Sequence, residues 1–189
     1  MHLRVAATET VPAHIIFFYT EGSMFNNVMI RSMYRAKNIR DDKGESQVDD
    51  YAISEDEKDA FSMFLNSSIH EAFNHVMKMT TGVSNALILG EDAEEVFPPV
   101  NNVSTIAEGV ESTDTIYGFK IKDHAAYNDN NIILVDEGVK SMVETQIMRE
   151  WYEMVGHADE FAKMNAKYLS LKRDLITKRL FQLRKPFIS

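Results

Sequence analysis

The spacing of apolar residues sorts the chain into helical and extended segments. From 23 to 36, Met24, Phe25, Val28, Met29 and Met33 recur at three and four residues, the helical period, and predict a short helix that Ser23 is placed to cap. Before it, His14-Ile15-Ile16-Phe17-Phe18-Tyr19 is β-branched and aromatic without helical spacing, so it reads as a strand in an N-terminal arm, residues 1–22. Alone it would expose a large apolar surface, so it is expected to pair with a sheet or with a neighbouring subunit.

Residues 38–53 are polar and acidic, with Gly44 at a turn, and predict a loop. Ser54-Glu55-Asp56-Glu57 then has the form of a capping box, in which the Ser hydroxyl takes an amide of the new helix and the Glu reaches back to the Ser amide. The helix is expected from about Glu55 to Met79, with Phe61, Phe64, Leu65, Ile69, Ala72, Phe73 and Val76 turned inward. Residues 81–114, rich in Gly, Pro and Asn, predict an irregular insertion. Thr115–Lys122 alternates, with Tyr117, Phe119 and Ile121 on one face, and predicts a strand.

Ile132-Ile133-Leu134-Val135 suits a strand by its β-branching but also continues the helical phase of Val139, Val143, Ile147 and Trp151. A helix from about Asn130, ending at a left-handed cap on Gly156, is the favoured reading. A last helix is expected over about Asp159–Phe181, with Ala162, Leu169, Ile176 and Leu180 inward, and Pro186 bars its extension. Two long helices joined by a short turn make an antiparallel hairpin. The fold class expected is mainly α: a helical bundle with this hairpin, a small β element and extended arms. Residues 23–189 form its single domain.

Length and composition fit this picture. A chain of 189 residues is one domain by size, and 44% hydrophobic residues suffice for a core. The absence of cysteine excludes disulfides and thiolate metal sites. The first residues lack the form of a signal peptide and no run of about 20 apolar residues is present, so a soluble protein made in a cytoplasm, with no membrane partner, is expected. The net charge of −9 is uneven: residues 163–185 hold eight Lys/Arg against one acid, +7, and the remainder −16. Such asymmetry suits docking between unlike surfaces, though a solvated basic helix face explains it equally.

Catalytic chemistry finds little support. His70 and His75 are five residues apart, where a zinc-protease helix needs four, and on a helix the two rings point about 140° apart. Glu150, Glu153 and His157 sit three and four residues apart near a helix end, but a di-iron bundle needs Glu-x-x-His motifs from two helices and no second copy is present. Asn128 to Asn131 lack the glycine and acid spacing of a calcium loop. Nucleophile-elbow and phosphate-loop motifs are absent, and the acidic body would repel DNA. No catalytic residue, metal or cofactor is expected.

Three stretches taken together carry a resemblance. They are Met33-Tyr34-Arg35-Ala36-Lys37 followed by an acidic loop, Ile53–Glu57 and the helix Phe61–Phe73; Tyr117-Gly118-Phe119-Lys120-Ile121; and the helix Val143–Gly156, containing Glu150-Trp151-Tyr152, followed by a helix ending Lys178-Arg179-Leu180 and then Leu183-Arg184-Lys185-Pro186. In this order, over about residues 30–186, the chain resembles neck or head–tail connector proteins of tailed bacteriophages of Bacteroides-type hosts, including crAss-like phages. Residues 81–114 depart from that pattern, being longer and more acidic. The resemblance implies a structural virion protein, an adaptor ring, commonly twelvefold, that stacks below the portal and forms part of the channel for double-stranded DNA during genome ejection. Its partners would be itself, the portal and other neck or tail proteins. It would reside in the virion neck after assembly in the host cytoplasm. The alternative is a non-enzymatic protein-binding module or assembly chaperone that uses the Met-rich helix 23–36 as an adaptable surface. Basic and apolar residues at the end of the chain, Arg179, Arg184, Lys185, Phe187 and Ile188, are the candidate interface. Trp151, Ile147, Val143, Phe61, Phe64, Leu65, Ile69 and Phe73 are the candidate core.

Overall fold

The computed structural model describes residues 1–9, 13–41, 43–81, 95–100, 114–123 and 129–175. The protein is mainly helical with a small antiparallel sheet. In chain order the elements are β1 (His2–Val5), β2 (His14–Thr20), α1 (Glu21–Ala36), the single turn α2 (Val48–Tyr51), a 3₁₀ turn (Glu55–Glu57) leading into α3 (Lys58–Thr81), β3 (Glu95–Val100), β4 (Ile116–Lys122), α4 (Asp129–Met154) and α5 (Ala158–Asp174). The sheet order is β1-β2-β4-β3.

The strand expected in the N-terminal arm is therefore a central one, paired with β1 on one side and β4 on the other. Its unbroken apolar run follows from burial on both faces. Ile15, Phe17 and Tyr19 join Tyr117, Phe119 and Ile121 in the main core, whereas Ile16 and Phe18 form a second cluster with Ile116, flanked by Leu3 and Val5. Phe17 lies opposite Phe119, ring centroids 5.2 Å apart. The 81–114 segment, expected to be irregular, contributes β3. Pro98 and Pro99 are accommodated because β3 is an edge strand whose register slips between Phe97 and Val100.

α1 begins at Glu21, two residues before the expected start, and Ser23 is not its cap. The backbone N–H of Gly22 instead donates to the Asp114 carboxylate at 2.6 Å, a cap supplied by a distant segment. A Cβ at Gly22 would stand 2.6 Å from that same oxygen, so a larger residue here would push the Asp114 carboxylate off the cap. At α3 the capping box is present as expected: the Ser54 hydroxyl accepts from Asp56 N, and the Ser54 amide donates to Glu57 at 2.8 Å. The expected inward stripe is observed, with Phe61, Leu65, Ile69, Ala72 and Val76 buried and Phe64 and Phe73 partly buried against them. Phe61 meets Phe25 edge-on at 5.1 Å, and Phe73 lies against Phe119 at 5.7 Å. Each such ring adds about 1.5–3 kcal/mol of burial.

α4 runs through the centre of the helical layer, against α1, α3 and α5. Ile132, Val135, Val139, Val143, Ile147 and Trp151 are all buried, so the ambiguous 132–135 run is helix. The helix ends before Gly156, whose φ of +76° is the left-handed cap expected there. The hairpin then turns into α5, where the inward face differs from expectation. Ala162 is exposed and Leu169 is 52% exposed; Met164, Tyr168 and Leu175 are buried instead. The face is rotated because the bulkier Tyr168 takes the core position and sends its hydroxyl to Glu71. Ile176 and Leu180 lie outside the described residues. No described helix is long and apolar enough to cross a membrane.

Candidate interaction surface

α1 has two apolar faces. Met24, Phe25, Val28 and Ala36 point into the body, with Ser32 among them. The second strip, Ile30, Met33 and Tyr34, is 49%, 46% and 71% exposed. With Lys37 these residues sit at i, i+3, i+4 and i+7, so they form one continuous ridge. Together with Val48 of α2 they line an open groove of about 540 Å³.

The wall opposite α1 is held in place by specific contacts. The buried Ser32 hydroxyl donates to Met29 O at 2.8 Å and accepts the Ile53 amide at 2.9 Å, which ties the end of the acidic loop to α1. Within the loop, Asp41 accepts the Lys43 and Glu45 amides around Gly44. Trp151 Nε1 donates to Tyr51 O at 2.8 Å, and the Tyr51 ring meets His157 edge-on at 4.6 Å. α2 is thus anchored to both helices of the hairpin, and the groove is preformed.

The charges beside the groove are also sorted. Arg31 reaches the buried Glu144 carboxylate at 2.5 Å, and Arg35 reaches Glu160 at 2.9 Å. Burial tends to raise Glu160, but hydrogen bonds from Lys163 and Arg35 and their charges outweigh it and hold that carboxyl below its ordinary range. Burial, then the proximity of Arg31 and Arg35, lowers the nearby Lys167 ammonium. Two cations of α1 are thereby neutralised by the body, while Glu45, Asp49 and Asp50 on the loop and α2 stand exposed to solvent.

The remaining sequence candidates do not converge. His70 is exposed, but His75 is 3% exposed, with Nε2 3.1 Å from Lys172 O, so of the two only His70 lies on the surface. The hundred-degree step of the helix separates them as anticipated. Glu150 accepts from Gln146 at 3.0 Å, Glu153 is exposed, and His157 caps α5 by accepting the Glu160 amide at 3.3 Å. Asp123 and Asp129 both bind Arg4. Among the described residues, no three His, Cys, Asp or Glu side chains are grouped to hold a metal ion. The candidate interface residues Arg179, Arg184, Lys185, Phe187 and Ile188 lie outside the described residues. Met33, which shares the spacing of Met24, Phe25, Val28 and Met29 in the sequence, stands on the outer strip instead; the signal for that strip is Ile30, Met33, Tyr34 and Lys37, a second helical repeat offset from the first.

Comparison of the chain with protein-family models, with curated proteins and with solved structures finds no match in any of the three.

Proposed function

We propose that this chain is a non-catalytic assembly subunit, a ring-forming head–tail connector that stacks below a phage portal and forms part of the DNA channel. The observation that carries the assembly reading is the exposed apolar ridge Ile30–Met33–Tyr34 beside a preformed groove. A ridge of this kind on a rigid body suits a protein–protein interface. The resemblance of the Glu150-Trp151-Tyr152 helix and its neighbours to phage neck proteins directs that reading to a connector. The net charge of −9 agrees with it, since an acidic wall lets DNA slide without adhering. Negative-stain imaging of the purified protein, alone and mixed with portal rings, tests the proposal. Closed rings, free or seated on the portal, are expected; particles that remain the size of one 21.6 kDa chain in both samples would refute it.

A second reading, a protein-binding module or assembly chaperone, is favoured by the same groove, because Met33 on its edge is the flexible kind of side chain that accommodates varied partners. Such a module stays monomeric until its partner is added, and the imaging separates the two.

A further inference from the structure

We propose that the groove between α1 and α2 receives the basic, apolar stretch 178–188 of a neighbouring copy of the same chain. The inference deepens the assembly reading above and rests on it. The groove is lined by Ile30, Met33, Tyr34 and Val48 with Lys37 at its end, and the exposed Asp49 and Asp50 of α2 follow Val48 beside it. Residues 38–57 hold eight acids against Arg40 and Lys43, a balance of −6. On the α1 side, Arg31 and Arg35 are already held by Glu144 and Glu160. Residues 176–189 are the chemical complement. They hold Lys178, Arg179, Arg184 and Lys185 with no acid, +4, interleaved with Leu180, Phe181, Leu183, Phe187 and Ile188. Apolar side chains at that spacing fill the groove while the cations face Asp49 and Asp50.

Geometry favours the tail of a second copy over the chain's own. The first turn of α5 is bound beside the groove through Glu160 and Arg35. α5 then leads away, and Leu175, fifteen positions on, is about 22 Å distant at ~1.5 Å per residue. Returning over that distance takes about seven extended residues at ~3.3 Å each. That would spend Lys178 to Phe181 on the return, leaving half of the complementary stretch out of reach. A neighbouring copy can present all of it. Each copy then offers one groove and one tail, a head-to-tail contact that propagates around a ring.

The test uses the full-length chain and two charge-reversed forms. One carries Asp49→Lys with Asp50→Lys; the other carries Arg184→Glu with Lys185→Glu. Sedimentation velocity follows self-association, and thermal melting checks that each form is folded. Wild type is expected to associate, more weakly at high salt. Each variant alone should associate about tenfold more weakly or worse. Mixed, the two variants should regain association, because the intact tail of one meets the intact groove of the other and the reversed tail and reversed groove also carry opposite charges. Wild-type association with the tail variant unaffected would overturn the proposal, and the groove would then bind some other surface of a second copy. Failure of the mixture to pair would also overturn it, since a tail bound to its own groove gives that result. A wild-type chain that stays monomeric at every concentration and with portal rings refutes the assembly reading itself, and this inference with it.

Discussion

The middle of α4 and the second half of α1 invert the usual relation between polarity and burial, in opposite directions. α4 buries Glu144, Thr145 and Gln146, each 2% exposed or less. α1 leaves Ile30, Met33 and Tyr34 in solvent. The difference lies in what each set of side chains meets inside the chain. Glu144 has Arg31 at 2.5 Å and Asn27 at 3.3 Å; Thr145 donates to Ser141 O at 2.7 Å; Gln146 donates to Glu71 and Glu150. Polar groups buried with partners are tolerated, and α4 can pass between three other helices with polar residues on its sides. The α1 ridge has a neighbouring wall but, among the described residues, no cover. The first inversion serves the fold; the second points outward, where the proposed interface lies.

If α4 is the internal scaffold, truncation there should cost the most. Trp151 is 4% exposed and holds α2 through Tyr51 O. Trp151→Ala is expected to lose about 3–5 kcal/mol in urea unfolding, from the cavity and from the stranded carbonyl. A wild-type midpoint would place this ring at the edge of the core and weaken the contrast with α1.

The buried charge gives a finer test. Arg31→Ala leaves the buried Glu144 carboxylate with the Asn27 hydrogen bond and the nearby Lys167 charge, whereas Glu144→Gln leaves an Arg that is 48% exposed and can turn to water. Arg31→Ala should therefore cost more, about 2 kcal/mol, below the ~3–5 of a fully enclosed pair. Glu144→Gln should cost about 1 kcal/mol. Equal losses in chemical denaturation would mean that the pair acts by packing alone.

These contacts explain what was legible in the sequence. Ser54 with Glu57 and Gly156 were readable because a capping box and a left-handed cap are closed within a few residues. The α3 stripe and the Val143–Trp151 face were readable because periodicity reports burial when one face is apolar. The start of α1 was misjudged since its cap is Asp114, remote in sequence. The inward face of α5 was misjudged because Leu169 competes with Tyr168, and only the position of Glu71 on α3 decides between them. The pairing of β2 with β4 joins residues about a hundred apart, for which no local signal exists. The outer strip of α1 was hidden by the stronger inward repeat beside it.

Acid should loosen the α3–α4–α5 seam. Burial tends to raise the Glu71 carboxyl, yet hydrogen bonds from Tyr168, Lys172 and Gln146 and the Lys172 charge outweigh it and hold it below the ordinary 4.5. A carboxyl depressed in the folded state contributes stability that is fully present above its unfolded pKa and is lost as pH falls through the folded value. Urea midpoints should therefore decline from about pH 4.5 downward, and Glu71→Gln should flatten that decline. The same seam should weaken in strong alkali, because burial and then the Glu71 contact push the Tyr168 hydroxyl far above its ordinary 10. An acid limb as steep in Glu71→Gln as in wild type would show that other carboxylates govern it.

The smallest effect on stability should come from the α1 ridge, and that smallness is what separates the two regions. Tyr34 is 71% exposed, so truncating it opens no cavity; a surface change of this kind stays within about 0.5 kcal/mol. Met33 at 46% behaves similarly, though part of its side chain rests on the groove. Tyr34→Ser with Met33→Ser should thus melt within a few degrees of wild type. If the ridge is an interface, the same double variant should lose association about tenfold or more, since exposed aromatic residues dominate binding energy once covered. Sedimentation and melting measured on one preparation decide the matter. A large fall in melting temperature would make the ridge part of the monomer's own architecture, like α4; unchanged melting with unchanged association would make it ordinary exposed surface. Only intact folding with lost association fits a surface that a second chain completes.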